Sequence, residues 1–323
     1  MRRISSFMAA ALGPCVVAFL AGCAGNASLG NGTAGNGFSS LPFASLKTNL
    51  QAQEESKVKG ALKELAVADL GGGTILSRVE LLDKTYEFVG TITDGIDGAT
   101  GDWYDTRGRL YVGNYAVPMV QEYAKGKTVP SFTYSSGLER PYSVATDAAG
   151  NVYVADEYNP SGSGGGVLEY AQGSNAPLAQ CLNGLNDTGI ALDKNGDVFV
   201  SGANGTLLEY AGGLGGCNPK TLGVTLPGGG GLQIDKKGNL VACAVHVVDV
   251  VPPPYKSISL RISGFAAAAH DALNKDESLL FVADPANYNV QVLAYPSGSL
   301  VTTLDNSNGL VDPVGVAVYP ATK

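Results

Sequence analysis

Residues Leu280–Gly298 read LFVADPANYNVQVLAYPSG. Two apolar runs, LFVA and VQVLAY, flank a short interruption rich in Asp, Asn and Pro, which is how two antiparallel strands joined by a tight turn are written. A hairpin standing once would say little about the fold, whereas a hairpin that recurs at a fixed period would determine it.

It recurs. NVYVADEYN opens at Asn151 and runs on to VLEYA at Val167; DVFVSGANG opens at Asp197 and runs on to LLEYA at Leu207. RLYVGNYAV opens at Arg109 and leads to VQEYA, ELAVADLGG opens at Glu64 and leads to ILSRVELL, and Gly238-Asn-Leu-Val leads to VVDVV in a worn, shortened copy. Copies two to six are each preceded by an apolar run closing on a turn, with closing residues Asp105, Asp147, Asp193, Asp235 and Asn274 spaced 42, 46, 42 and 39 apart. A unit of that size carrying four short strands is the size of a propeller blade. In the third copy the strands, from the axis outward, are SVATD, NVYVAD, VLEYA and PLAQCL. None can stand alone in water, so neighbouring blades must cover one another. The first copy begins near Leu65 without an innermost strand, and the chain ends with an orphan one, PVGVAVYP at Pro313–Pro320. The expectation is an all-β, six-bladed β-propeller over residues 64–323, with the C-terminal strand closing the first blade and removing its open edge.

The pattern Gly-Asn-hydrophobic-Tyr-Val-Ala-Asp, followed by the N-x-x-V of Asn287–Val290, resembles the NHL-type repeat over roughly residues 64 to 320. Ala244 departs from it, replacing the Asp that closes the second strand. The resemblance implies a ring that hosts scaffolds, ligand binders, lactone hydrolases and lyases, so it speaks to fold more than activity.

The chain opens MRRISSFMAAALGPCVVAFLAGCAG: a positive start at Arg2 and Arg3, a short apolar stretch and then small residues, the form of an export signal over 1–22. Leu20-Ala21-Gly22-Cys23 resembles the bacterial lipobox, which implies acylation of Cys23 and attachment to the cell envelope, at the outer membrane if the organism is Gram-negative. Residues 23–50, rich in Gly, Asn, Ser and Thr, read as a tether, and 51–63 as a short helix or linker.

The whole chain carries a formal charge of -8, and loss of Arg2 and Arg3 with the signal makes it -10. With no basic stripe, nucleic acid is not an expected partner. Anionic lipid would repel the ring, leaving the acyl chains as the membrane contact. A monomer is expected. Aligning the copies places Cys181, Cys217 and Cys243 apart, so buried thiols rather than a disulfide are expected.

Turns such as DAAGN, DKNGD and DKKGN carry the residues that tight turns need. Asp69, Asp156 and Asp284 are expected to hold the following turn by accepting backbone N–H bonds. Tyr123, Tyr170, Tyr210 and Tyr295 repeat as packing between blades. Chemistry is better sought where symmetry breaks. Four residues before the end of each innermost strand stand Gly101, Ser143, Gly189, Gly231 and Gly315, but in the sixth copy His270. Its imidazole is expected in the channel mouth. His246, the other histidine, falls in a loop on the same face, and Asp271 and the aligned Asp102 are at hand. These four make a candidate ligand or divalent-metal site. No G-x-S-x-G, Walker loop, H-E-x-x-H or C-x-x-C is present, and no catalytic residue is assigned. The reading is a tethered binding or scaffold module for a protein, peptide or glycan; the alternative is a metal-dependent, lactonase-like hydrolase or lyase at the upper channel mouth.

Overall fold

The computed structural model describes residues 63–320 except 75 and 158–164. The residues expected to form the export signal, the acylated Cys23, the tether and the linker up to residue 62 lie outside the described residues.

Six sheets form the six blades. The first joins β1 (Glu64–Asp69), β2 (Arg78–Asp83) and β3 (Phe88–Ile92) to the C-terminal β23 (Pro313–Tyr319). The second holds β4 (Ala99–Tyr104), β5 (Leu110–Asn114), β6 (Met119–Tyr123) and β7 (Phe132–Tyr134). The third holds β8 (Pro141–Thr146), β9 (Val152–Asp156), β10 (Gly166–Tyr170) and β11 (Pro177–Leu182). In the fourth are β12 (Asp187–Leu192), β13 (Val198–Gly202), β14 (Thr206–Tyr210) and β15 (Lys220–Thr225). The fifth has β16 (Leu232–Ile234), β17 (Leu240–Val251) and β18 (Leu260–Ala268), and the sixth β19 (His270–Leu273), β20 (Leu279–Asp284), β21 (Asn289–Ala294) and β22 (Ser299–Leu304).

The closing strand pairs antiparallel with β1, Ala66 opposite Ala317 and Val67 opposite Val316, so both ends of the chain share one blade. The three-stranded fifth sheet still fills four places. Leu240–Ala242 pair with β16, residues 245–250 pair with β18, and between them Val245 adopts left-handed backbone with φ 58°. A straight strand of that length would span roughly 40 Å. Tyr255, only a few residues beyond its end, donates its hydroxyl to the Gly238 carbonyl at 3.0 Å, just before its start. β17 therefore doubles back at Val245, and its halves serve as second and third strands.

The core is divided by seams. Each of six hydrophobic clusters lies between two consecutive blades: Ala155, Val167 and Tyr153 of the third meet Ile190, Val200 and Tyr210 of the fourth, and Phe281 and Val292 of the sixth meet Val67 and Val316 of the first. Fully buried tyrosines on the third strands join blades by hydrogen bonds as well. Tyr123 donates to the Asp94 carbonyl at 2.7 Å and Tyr170 to the Ser136 carbonyl at 2.8 Å, each across a seam. The turns DAAGN, DKNGD and DKKGN are capped as expected, Asp147 Oδ1 accepting from Gly150 and Asn151 at 2.7 and 2.8 Å.

One expectation is extended and one is corrected. Asp156 accepts from Glu139 and Arg140, and Asp284 from Ala266 and Ala267, all backbone donors in the segment entering the innermost strand of the same blade. Asp69 accepts from Val311 and Asp312 in the same way and additionally from Gly71 in the following turn. Asp284 likewise accepts from the Asn287 side chain in its following turn at 2.9 Å, so the recurring Asp fixes where the first strand begins in addition to the turn after its own strand. The correction is that Cys181 and Cys217 form a disulfide, Cα atoms 5.1 Å apart. Residues 211–219, between β14 and β15, carry Cys217 to β11 of the preceding blade, a reach that superposing rigid copies conceals. Cys243 is a free, buried thiol, as expected.

Candidate functional site at the upper end of the axis

Connections from second to third strands, and from outermost strands to the next innermost strand, gather on the upper face. The innermost strands start there, and the place four residues before each closing residue, the first of three consecutive places compared between blades, crowds the axis. At Gly189 an added Cβ would collide with the Gly230 carbonyl and lie 2.5 Å from Ser201 Oγ; at Gly101 it would collide with His270 Nε2 and lie 2.6 Å from the Tyr142 carbonyl oxygen. Backbone of the next blade occupies the space a side chain would need, which is why glycine stands there. His270 breaks the rule. Its ring reaches across the first blade to lie against Gly101 of the second, and it is 3% exposed. It therefore does not present itself at an open mouth; it plugs the axis.

Below it, a small axial cavity is lined by Asp102, Trp103, Gln233, Ala272, Val316 and Ala317. Trp103 and Gln233 stand at the third places of their strands, where the other blades have Ala145, Ala191, Ala272 and Ala317. Trp103 Nε1 donates to Thr146 Oγ1 at 2.9 Å across a seam. Comparing copies at the first place alone finds His270; the same comparison at the third place finds Trp103 and Gln233.

The second places face the preceding blade. They are Val144, Ile190, Leu232 and Val316 in four seams, and Asp102 and Asp271 in the other two. Asp102 is 2% exposed, close to Gly315 and Ala68 of the first blade; Asp271 is fully buried beside Gly231 and Cys243 of the fifth. No side-chain donor other than the weak Cys243 thiol comes near their carboxylate oxygens, whose remaining neighbours are backbone amides, and neither nitrogen of His270 has a partner. Burial dictates their protonation. It pushes Asp271 up to about 8, partly offset by the facing Cys243 thiol and its own amide, holds Asp102 well above the carboxylate range, and drives His270 down to about 4. Cys243 is raised well above an ordinary thiol by burial first and Asp271 second.

The four predicted residues do not converge. His270 crosses the axis, Asp102 and Asp271 point into separate seams, and His246 is exposed at the bend of β17. Among the described residues no group of three or more His, Cys, Asp or Glu is placed to hold a metal ion. The donors present do not fit the divalent metal that a lactonase-like reaction would use. Further acids on the upper face are structural as well: Asp187 accepts from Asn183 at 2.7 Å, and Glu157 faces Arg140 at 3.6 Å, whose guanidinium lies over the Tyr115 ring.

The upper loops carry what the axis does not. Leu76 in the first blade is 81% exposed, Tyr288 in the sixth 50%, and Val117 in the second 39%. All three lie in loops between second and third strands of consecutive blades. Tyr288 holds left-handed backbone, φ 55°, uncommon for an aromatic residue.

No protein-family model matches the sequence, and no curated protein matches it. Among solved structures, a chain of the nidogen/laminin complex shares the fold at TM-score 0.66 and 15% identity, with 80% of this chain and 99% of that one covered. A protein of unknown function from Bacteroides caccae aligns at TM-score 0.61 and 12% identity, covering 80% and 99%. A functionally unknown protein from Desulfotomaculum acetoxidans aligns at 0.59 and 14%, covering 79% and 98%. At these identities the likeness concerns the six-bladed fold alone.

Proposed function

We propose that the chain is an exported lipoprotein of NHL-repeat type, anchored to the cell envelope through acylated Cys23, whose ring recognises a protein, peptide or glycan with its upper face. The observation that carries this reading is the exposure of Leu76, Tyr288 and Val117 on neighbouring upper loops, while the axis behind them is filled by His270. Exposed apolar groups on adjoining loops of one face are what an interaction surface requires. The nidogen/laminin chain is solved in a complex with a protein partner, which is in keeping with recognition by such a ring.

The test uses the ring from residue 63 onward, labelled and applied to cell-envelope and extracellular glycan preparations. Replacing Leu76, Val117 and Tyr288 by Ser should abolish specific retention while circular dichroism and melting stay unchanged. Retention that survives the triple change places recognition elsewhere. For the anchor, Cys23→Ser should move the full chain from the membrane to the soluble exported fraction; a variant still sedimenting with membranes would refute acyl attachment.

A further inference from the structure

Two of the six seams carry an acid where the other four carry Val, Ile or Leu, and their placement is not scattered. Asp271 lies between the fifth and sixth blades and Asp102 between the first and second. Together they bound one segment of the ring: the sixth blade and the first, the latter being the blade closed by β23. His270 starts in this segment and braces it against Gly101 on the far side. We propose that Asp102 and Asp271 are proton-dependent latches on the two seams that bound the closing pair of blades, so that the segment is held when both carboxyls are neutral and loosened when they ionise.

The physical basis is the absence of compensation. A buried carboxylate is tolerated when donors or a cation surround it. Around Asp271 stand only the weakly donating Cys243 thiol and its own amide; around Asp102, only its own amide and that of Ala68. The ionisable groups that interact with them are Cys243, Tyr104 and Tyr295, and Asp284 acts on Cys243, with no Lys or Arg among the groups that influence either acid. As neutral acids the two side chains resemble the aliphatic residues of the other seams in size, and they pack. Ionised, each leaves a bare charge against the Gly315 or Gly231 backbone.

The sign follows from linkage. Both acids have folded pKa values above their unfolded ones, so their contribution is fully present below about pH 4 and is lost as pH rises, for Asp271 through about 8. His270, with its value lowered to about 4, acts oppositely, favouring the folded ring as pH rises towards its ordinary value of 6.5. Two acids outweigh one histidine, and above pH 6.5 the histidine no longer contributes to the slope. The ring should therefore weaken between pH 6.5 and 8.5, where most proteins hold steady.

The experiment is thermal melting of the ring from pH 5.5 to 8.5, read by circular dichroism and by the fluorescence of Trp103, the sole tryptophan, which follows Asp102 in β4. Wild type should lose about 5–10 °C over this range. Asp102→Val with Asp271→Val, the residues of the other seams, should flatten the profile and raise the melting temperature at pH 8.5. Should the double change fail to fold, Asp102→Asn and Asp271→Asn, which remove the charge and keep the shape, must each flatten it in part. Limited proteolysis at pH 8.5 locates the loosening: first cuts in residues 264–320 or 63–98 support the latch. A wild-type profile flat to pH 8.5, an unchanged slope in the variants, or first cuts in the third and fourth blades would overturn it.

Discussion

At the level of single residues, the axis is governed by the space available for a Cβ. Gly189→Ala would drive a methyl into the Gly230 carbonyl, which belongs to the neighbouring blade and cannot swing aside. Gly90 on β3 has no atom within 4 Å of the same point and ordinary backbone. Gly189→Ala should thus cost about 1–3 kcal/mol or more in chemical denaturation, and Gly90→Ala close to nothing. Equal effects would contradict the close approach of backbones at the axis. The sequence marked the first place of the innermost strand as crowded and His270 as its exception. It could not show that the imidazole lies inward against Gly101, because the direction of one ring depends on the gap beside the closing blade, which no local pattern encodes.

Among the elements, the repeat made strand order and closure readable in advance, since recurring apolar runs and Asp-x-x-Gly turns specify both. The disulfide was not readable. Cys217 sits in the nine-residue connection between β14 and β15, and connections are where copies stop predicting one another. The bridge ties the third blade to the fourth across 36 residues of sequence, so Cys217→Ser should lower stability by about 2–4 kcal/mol, with reductant producing the same loss in wild type and none in the variant. A reductant-insensitive wild type would argue against the bond. Deleting residues 313–323 should remove far more than a surface strand would, because β23 is the innermost strand of a blade whose β1 is otherwise an edge. Loss of cooperative melting is expected; a truncated chain that melts like the parent would disprove closure by β23. The recurring Asp at the end of the second strand holds the following turn as expected at Asp69, through Gly71, but its second set of partners, such as Val311, could not be foreseen because they are remote in sequence.

Across the whole molecule, placing recognition on the upper loops and not in the channel rests on one claim, that the axis is sealed by a buried histidine. Fold and closure were legible because six copies had to agree. The candidate site was legible only as a list of unusual residues, since whether His270, His246, Asp102 and Asp271 meet depends on which side of a blade each faces. The direct measurement is NMR titration of the imidazoles, simplified because the chain holds only two histidines and His246→Gln leaves a single signal. With the axis sealed, the His270 ring stays neutral until about pH 4, and zinc added at neutral pH does not shift it. A midpoint near 6.5, or a shift on adding zinc, would show an open mouth and return the axis to the list of binding sites.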